Sequence, residues 1–92
     1  MFIRSQNKKA LINLGNATQI YIDDDNIVGV DFNNSLEDEY GGYTDIGTYS
    51  TEEKAIKVLD RIESTYAAHQ QKYIRPVEYR FNIFNMPQEE EI

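Results

Sequence analysis

Apolar and polar positions change their period near residue 50 and return to strand alternation beyond Pro76. Up to residue 49 they alternate in short runs, the period of half-buried strands; from residue 51 they recur at steps of three and four, the period of a helix. Phe2-Ile3-Arg4 opens as a strand, Gln6-Asn7-Lys8-Lys9 is a polar turn, and residues 10–14 form a second strand closed by Gly15-Asn16. Residues 17–23 place Ala17, Gln19 and Tyr21 on one side and Thr18, Ile20 and Ile22 on the other. Asp23-Asp24-Asp25-Asn26 then turns the chain, and Ile27-Val28-Gly29-Val30-Asp31-Phe32 returns, which predicts an antiparallel hairpin. Gly29 marks a bulge or a close approach of the helix. After a polar, acidic stretch over residues 33–39 and Tyr40-Gly41-Gly42, residues 43–49 read as the last strand before the helix.

The helix is predicted over residues 51–71. Ser50 and Glu53 have the spacing of a capping box, and Glu52 and Glu53 sit at the positive end of the helix dipole. Ala55, Leu59, Ile62, Tyr66, His69 and Tyr73 form its apolar stripe, widened by Ile56 and Val58. Glu53 and Lys57 are ordered for an i,i+4 ion pair. Such a helix needs a surface to bury its stripe, and the strands before it supply one. Beyond Pro76, Val77, Tyr79, Phe81 and Ile83 alternate with Glu78, Arg80 and Asn82. This extended segment fits a sixth strand, an arm over the helix, or an arm given to a second subunit. Met86-Pro87 stops it. The expected fold is therefore α+β: an antiparallel meander of about five short strands packed by one long helix, with an extended C-terminal segment. Residues 1–87 form one domain, and 88–92 an acidic flexible tail.

Composition narrows the function classes. The formal charge is −7 over 92 residues, which disfavours direct DNA or RNA binding because a phosphate backbone is repelled. There is no cysteine, so disulfides and thiolate metal sites are excluded. No apolar run is long enough to span a membrane, and Met1-Phe2-Ile3-Arg4-Ser5 has no signal-peptide anatomy, so a cytoplasmic location is expected.

No set of residues names a reaction. His69 is the single histidine and sits at the edge of an apolar stripe, a structural position. Asp23-Asp24-Asp25 fails the calcium-loop spacing, since Ile27 and Val28 follow, and reads as a solvated turn. No metal and no cofactor is expected. The carboxylates Asp31, Glu37 and Glu39 leave a hydrolase open as a third hypothesis. Seven tyrosines exceed what so small a core needs, and tyrosine suits interfaces. Cations and aromatic rings suited to a small nucleotide occur together in Arg4, Tyr43, Arg75, Tyr79, Arg80 and Phe81, the candidate ligand-binding set. Glu37, Asp38, Glu39 and Tyr40, in the long acidic segment, are the candidate protein-binding set.

Phe2-Ile3-Arg4-Ser5-Gln6, the stretch Gly47-Thr48-Tyr49-Ser50-Thr51-Glu52-Glu53-Lys54-Ala55 with Val58-Leu59-Asp60, and the ending Phe84-Asn85-Met86-Pro87-Gln88-Glu89-Glu90 resemble a family of small proteins from Gram-positive bacteria and their phages. The resemblance covers both ends and the helix start; residues 31–45 and 70–78 match poorly. It brings no enzymatic activity and no catalytic residue. It implies a phage or prophage accessory context, in which short acidic proteins act by binding a host component, including components of antiphage defence. The expected function is thus non-enzymatic binding, of a host protein or of a small nucleotide signal that it sequesters. The alternative is a structural or assembly module, a homodimer or higher homo-oligomer built by pairing sheet edges or exchanging the arm at residues 77–86.

Overall fold

The acidic turn sets the register of the larger sheet. In a computed structural model, which describes residues 1–32, 42–72 and 83–92, the Asp23 carboxylate accepts the backbone N–H groups of Asp25 (2.8 Å) and Ile27 (3.1 Å). Asn26 takes a left-handed conformation at φ 62°, which its short polar side chain tolerates. This turn joins β3 (Gln19–Ile22) to β4 (Ile27–Asp31), antiparallel, with Tyr21 opposite Gly29 and Ile20 opposite Val30. β5 (Tyr43–Thr48) adds on the other side of β4. Val28 faces Gly47 while Gly29 faces Asp45, so Ile46 is the extra residue of a bulge.

The α+β class and the antiparallel meander stand as expected, and the strands divide between two sheets. β3, β4 and β5 form the meander. β1 (Phe2–Arg4) and β2 (Leu11–Asn13) form a second sheet with β6 (Ile83–Asn85), in the order β2-β1-β6. β2 is antiparallel to β1, and β6 is parallel to it, pairing Ile3 with Phe84. Residues 83–85 of the predicted C-terminal strand pair with β1 of their own chain in this structure; residues 77–82 lie outside the described part.

Helix α1 (Glu52–Lys72) lies on β3 and β4, close to the predicted range. Its buried line is Ala55, Val58 and Ile62, with Leu59 half-buried. Ile56 and Tyr66, assigned to the stripe from spacing, are exposed. Ala55 and Val58 are fully buried, so the buried stripe is narrower than the spacing predicts and shifted towards them. Val28, Val30 and Ile46 from the meander, Ile3 from β1, Tyr49 and Met86 complete the core.

The capping box at Ser50 and Glu53 is corrected. Thr51 caps the helix: its hydroxyl accepts the Lys54 N–H at 3.1 Å and its carbonyl the Ala55 N–H at 3.2 Å. Ser50 is used elsewhere. Its N–H and hydroxyl both donate to the Glu89 carboxylate, at 3.1 and 2.6 Å, and Lys54 Nζ joins them at 2.7 Å. Lys54–Glu89 is the ion pair among the described residues; Glu53 and Lys57 do not form one.

Residues 88–92, expected as a flexible tail, also need correction. Glu89–Glu91 form a 3₁₀ turn, Arg61 donates to the Glu91 carbonyl at 3.2 Å, and Ile92 packs against the core. Their polarity does not leave them free: the Glu89 carboxylate accepts from Ser50 and Lys54, and the Glu91 carboxylate accepts the Gln88 N–H at 2.7 Å.

The chain's beginning, the strand-to-helix passage and the C-terminal segment meet at this junction. The Gln6 N–H donates to the carbonyl of the bulged Ile46 at 2.9 Å, and Gln6 Oε1 accepts the Thr48 N–H at 2.9 Å. Gln88 Nε2 donates to the Gln6 carbonyl at 2.8 Å. The buried Tyr49 hydroxyl donates to the Pro87 carbonyl at 2.8 Å. Gly47 makes the contact close: a Cβ there would stand 2.9 Å from Met86 Cε and 3.0 Å from the Tyr49 hydroxyl. One network thus ties the small sheet, β5, the helix start and the C-terminal segment together.

Candidate functional site

With Val28, Val30 and Ile46 turned to the helix, strand alternation puts Gln19, Tyr21, Gly29, Asp31, Tyr43 and Asp45 on the opposite face of the meander. Two rows cross it: Tyr21–Gly29–Asp45 and Gln19–Asp31–Tyr43. The absent side chain at Gly29 lets Tyr21 lie flat over the middle strand; a Cβ there would come 3.1 Å from the ring and from its hydroxyl. Gly29 therefore makes room for an aromatic ring on the outer face, not for the helix.

Tyr43 packs against Tyr21, ring centroids 5.5 Å apart and planes tilted by 52°, an arrangement aromatic quadrupoles favour. Tyr43 remains 49% exposed, so much of its ring is open. Loss of hydration pushes its hydroxyl above the ordinary tyrosine range, assisted by a hydrogen bond to the Asp45 carboxylate and by that carboxylate's charge. The Tyr21 hydroxyl is buried and has no hydrogen-bond partner among the described residues. A buried polar group left unpaired costs roughly 1–3 kcal/mol. Together these residues make a shallow aromatic and acidic surface on rigid strands, able to stack a planar group and accept hydrogen bonds.

Of the candidate ligand-binding set, Tyr43 lies on this face. Arg4 does not: it sits on β1 of the other sheet and its guanidinium reaches the Lys8 carbonyl at 3.5 Å. No hydrogen bond, ion pair or ring contact joins the two among the described residues. Arg75, Tyr79, Arg80 and Phe81 lie outside the described residues, as do Glu37, Asp38, Glu39 and Tyr40 of the protein-binding set. Tyr21 and Asp45 were absent from both sets. Counting back from the acidic turn places Tyr21 opposite Gly29 and gives the signal for it. The bulge that brings Asp45 into that row has no mark of its own in β5.

The helix N-terminus is the other place where charge could be held, and the chain fills it itself. Donation from Lys54 first, then from Ser50, holds the Glu89 carboxyl down at about 2. Among the described residues no group of His, Asp and Glu has the geometry of a metal site, and no helix is long and apolar enough to cross a membrane. The chain matches no family model, no curated protein and no solved structure.

Proposed function

We propose that this chain is a non-enzymatic binding protein that occupies a protein surface in the bacterial cytoplasm, in a phage or prophage accessory role of the anti-defence kind. The outer face of β3–β4–β5 is the surface it uses. The observation that carries this is the half-exposed Tyr43 ring packed on Tyr21 on the face turned away from the helix. Rigid tyrosines offer contact area at small conformational cost. Sequestration of a nucleotide draws less support, because the described outward positions of this face carry Asp31 and Asp45 and no cation.

Capture from lysate of a Gram-positive host, with mass spectrometry of bound proteins and small molecules, tests this. One protein should be enriched on the wild type and lost on Tyr43→Ala combined with Asp45→Asn, yet kept on the helix-face variant Lys57→Ala. Capture that ignores the face change, or recovery of a nucleotide without protein, would overturn the proposal.

A second function rests on a separate observation. In the small sheet the edge strands β2 and β6 expose Leu11 (48%) and Ile83 (45%), an arrangement suited to edge pairing between copies. Under this alternative the chain is a homo-oligomer in light scattering and Ile83→Lys dissociates it. A monomer at high concentration removes the alternative.

A further inference from the structure

We propose that the outer edge of β2, with the basic turn before it, binds an extended acidic segment of a protein partner as an added strand. This surface belongs to the small sheet, apart from the meander face, and is tested independently of it. The chain has a formal charge of −7, yet residues 1–22 contain Arg4, Lys8 and Lys9 and no Asp or Glu. Residues 7–11 are exposed throughout, and no ion pair joins Lys8 or Lys9 to a described residue. The Arg4 guanidinium reaches the Lys8 carbonyl at 3.5 Å, which brings the third cation to the same end of the hairpin.

The turn holds these charges in place. The Ser5 N–H donates to the Ala10 carbonyl and the Lys8 N–H to the Ser5 carbonyl, both at 2.9 Å. The Asn7 side chain accepts the buried Ser5 hydroxyl at 2.7 Å and the Lys9 N–H at 2.9 Å. Lys8 stands at φ 67°, a conformation that glycine or asparagine adopts at less cost. A lysine kept there points to a use for its charge.

The edge supplies the rest of the site. The Ser5–Ala10 and Leu14–Met1 bonds fix the antiparallel alternation, so Leu11, opposite Arg4, turns its N–H and carbonyl away from β1. β2 is an outer strand of its sheet, and these two groups meet no partner among the described residues. An incoming strand pairs with them through its own backbone and packs a side chain on Leu11, which is 48% exposed. Charge chooses the strand, because carboxylates on it meet Arg4, Lys8 and Lys9. A second copy paired β2 to β2 sets no carboxylate against them, since residues 1–22 hold none. A nucleic acid brings no peptide backbone to the edge and is repelled by the chain as a whole.

The test is an amide NMR titration of the full chain at low salt, up to millimolar peptide. The probes are the capped peptide Glu-Val-Glu-Val-Glu, its counterpart Lys-Val-Lys-Val-Lys, and Glu-Pro-Glu-Pro-Glu, which keeps the charge and loses backbone donors. The first should shift the Lys8, Lys9 and Leu11 amides, with Leu11 moving downfield as its N–H gains an acceptor; the other two should not. Lys8→Gln with Lys9→Gln, with the α1 amides as the control for folding, should weaken the acidic peptide about two- to tenfold, the scale of two exposed ion pairs. Equal shifts from the proline peptide, shifts elsewhere, or no shift overturn the strand assignment. So does concentration dependence of the same amides in the free chain, which gives the edge to a second copy, or tighter binding there of a thymidine oligonucleotide.

Discussion

Tyr49→Phe removes one oxygen from the junction and nothing else. In the wild type that hydroxyl is buried and donates to the Pro87 carbonyl at 2.8 Å. Losing the bond forfeits about 0.5–1.5 kcal/mol, and a buried carbonyl left without a donor raises the cost to about 1–3. Gln6 Nε2 stands 3.5 Å from the same carbonyl and can move in to replace part of the loss, so about 1–2 kcal/mol is expected. For a domain of this size that is a fall of roughly 4–16 °C in Tm, with the denaturant midpoint lowered at unchanged slope. pH adds an independent check. Burial, then the charge of Glu89, pushes the Tyr49 hydroxyl up to about 12, partly offset by Arg61. A pKa raised on folding contributes stability that is complete below the unfolded value near 10 and disappears as pH rises through the folded one. The gap between wild type and Tyr49→Phe should therefore be constant to about pH 10 and narrow from there towards 12. A destabilisation under about 0.5 kcal/mol, the range of featureless surface changes, or a gap that does not narrow, would refute this account of the junction.

Gly47→Ala should destabilise by about 1–3 kcal/mol in urea melts, since its Cβ meets Met86 and the pinned Tyr49 inside a packed region. Glu89→Gln should flatten the acid limb of the stability curve: a carboxyl lowered on folding gives stability that is present above about 4.5 and fades as pH falls towards 2, so variant and wild type should converge in melts at the acid end. Gly29→Ala should displace the Tyr21 ring, read as loss of the ring-current shifts between Tyr21 and Tyr43, while the helix amides stay in place. Asn26→Val, forcing a β-branched residue to φ 62°, should cost about 1–2 kcal/mol, and Asn26→Gly should not.

The junction shows how local signals were overruled. Ser50 and Thr51 are both competent caps, and the Ser50–Glu53 spacing favoured the first. Glu89, thirty-nine positions away along the chain, takes both Ser50 donors and leaves the cap to Thr51. The acidic ending likewise read as solvated, because charge alone does not show which cations and N–H groups stand opposite it.

The sequence by itself determined the strand-to-helix switch at residue 50, the hairpin turned by Asp23 and Asn26, and the extent of α1. Each follows from residues within a few positions of one another, where periodicity and turn chemistry act directly. Only the tertiary structure decided that β1 leaves the meander to pair with β2 and, in parallel, with β6, that Tyr21 crosses Gly29 to meet Tyr43, and that the last residues close over the helix start. Backbone donors and acceptors are alike in every strand, so partner and register are chosen by which side chains fill the shared core. That choice joins positions far apart in the chain, where no local pattern reaches.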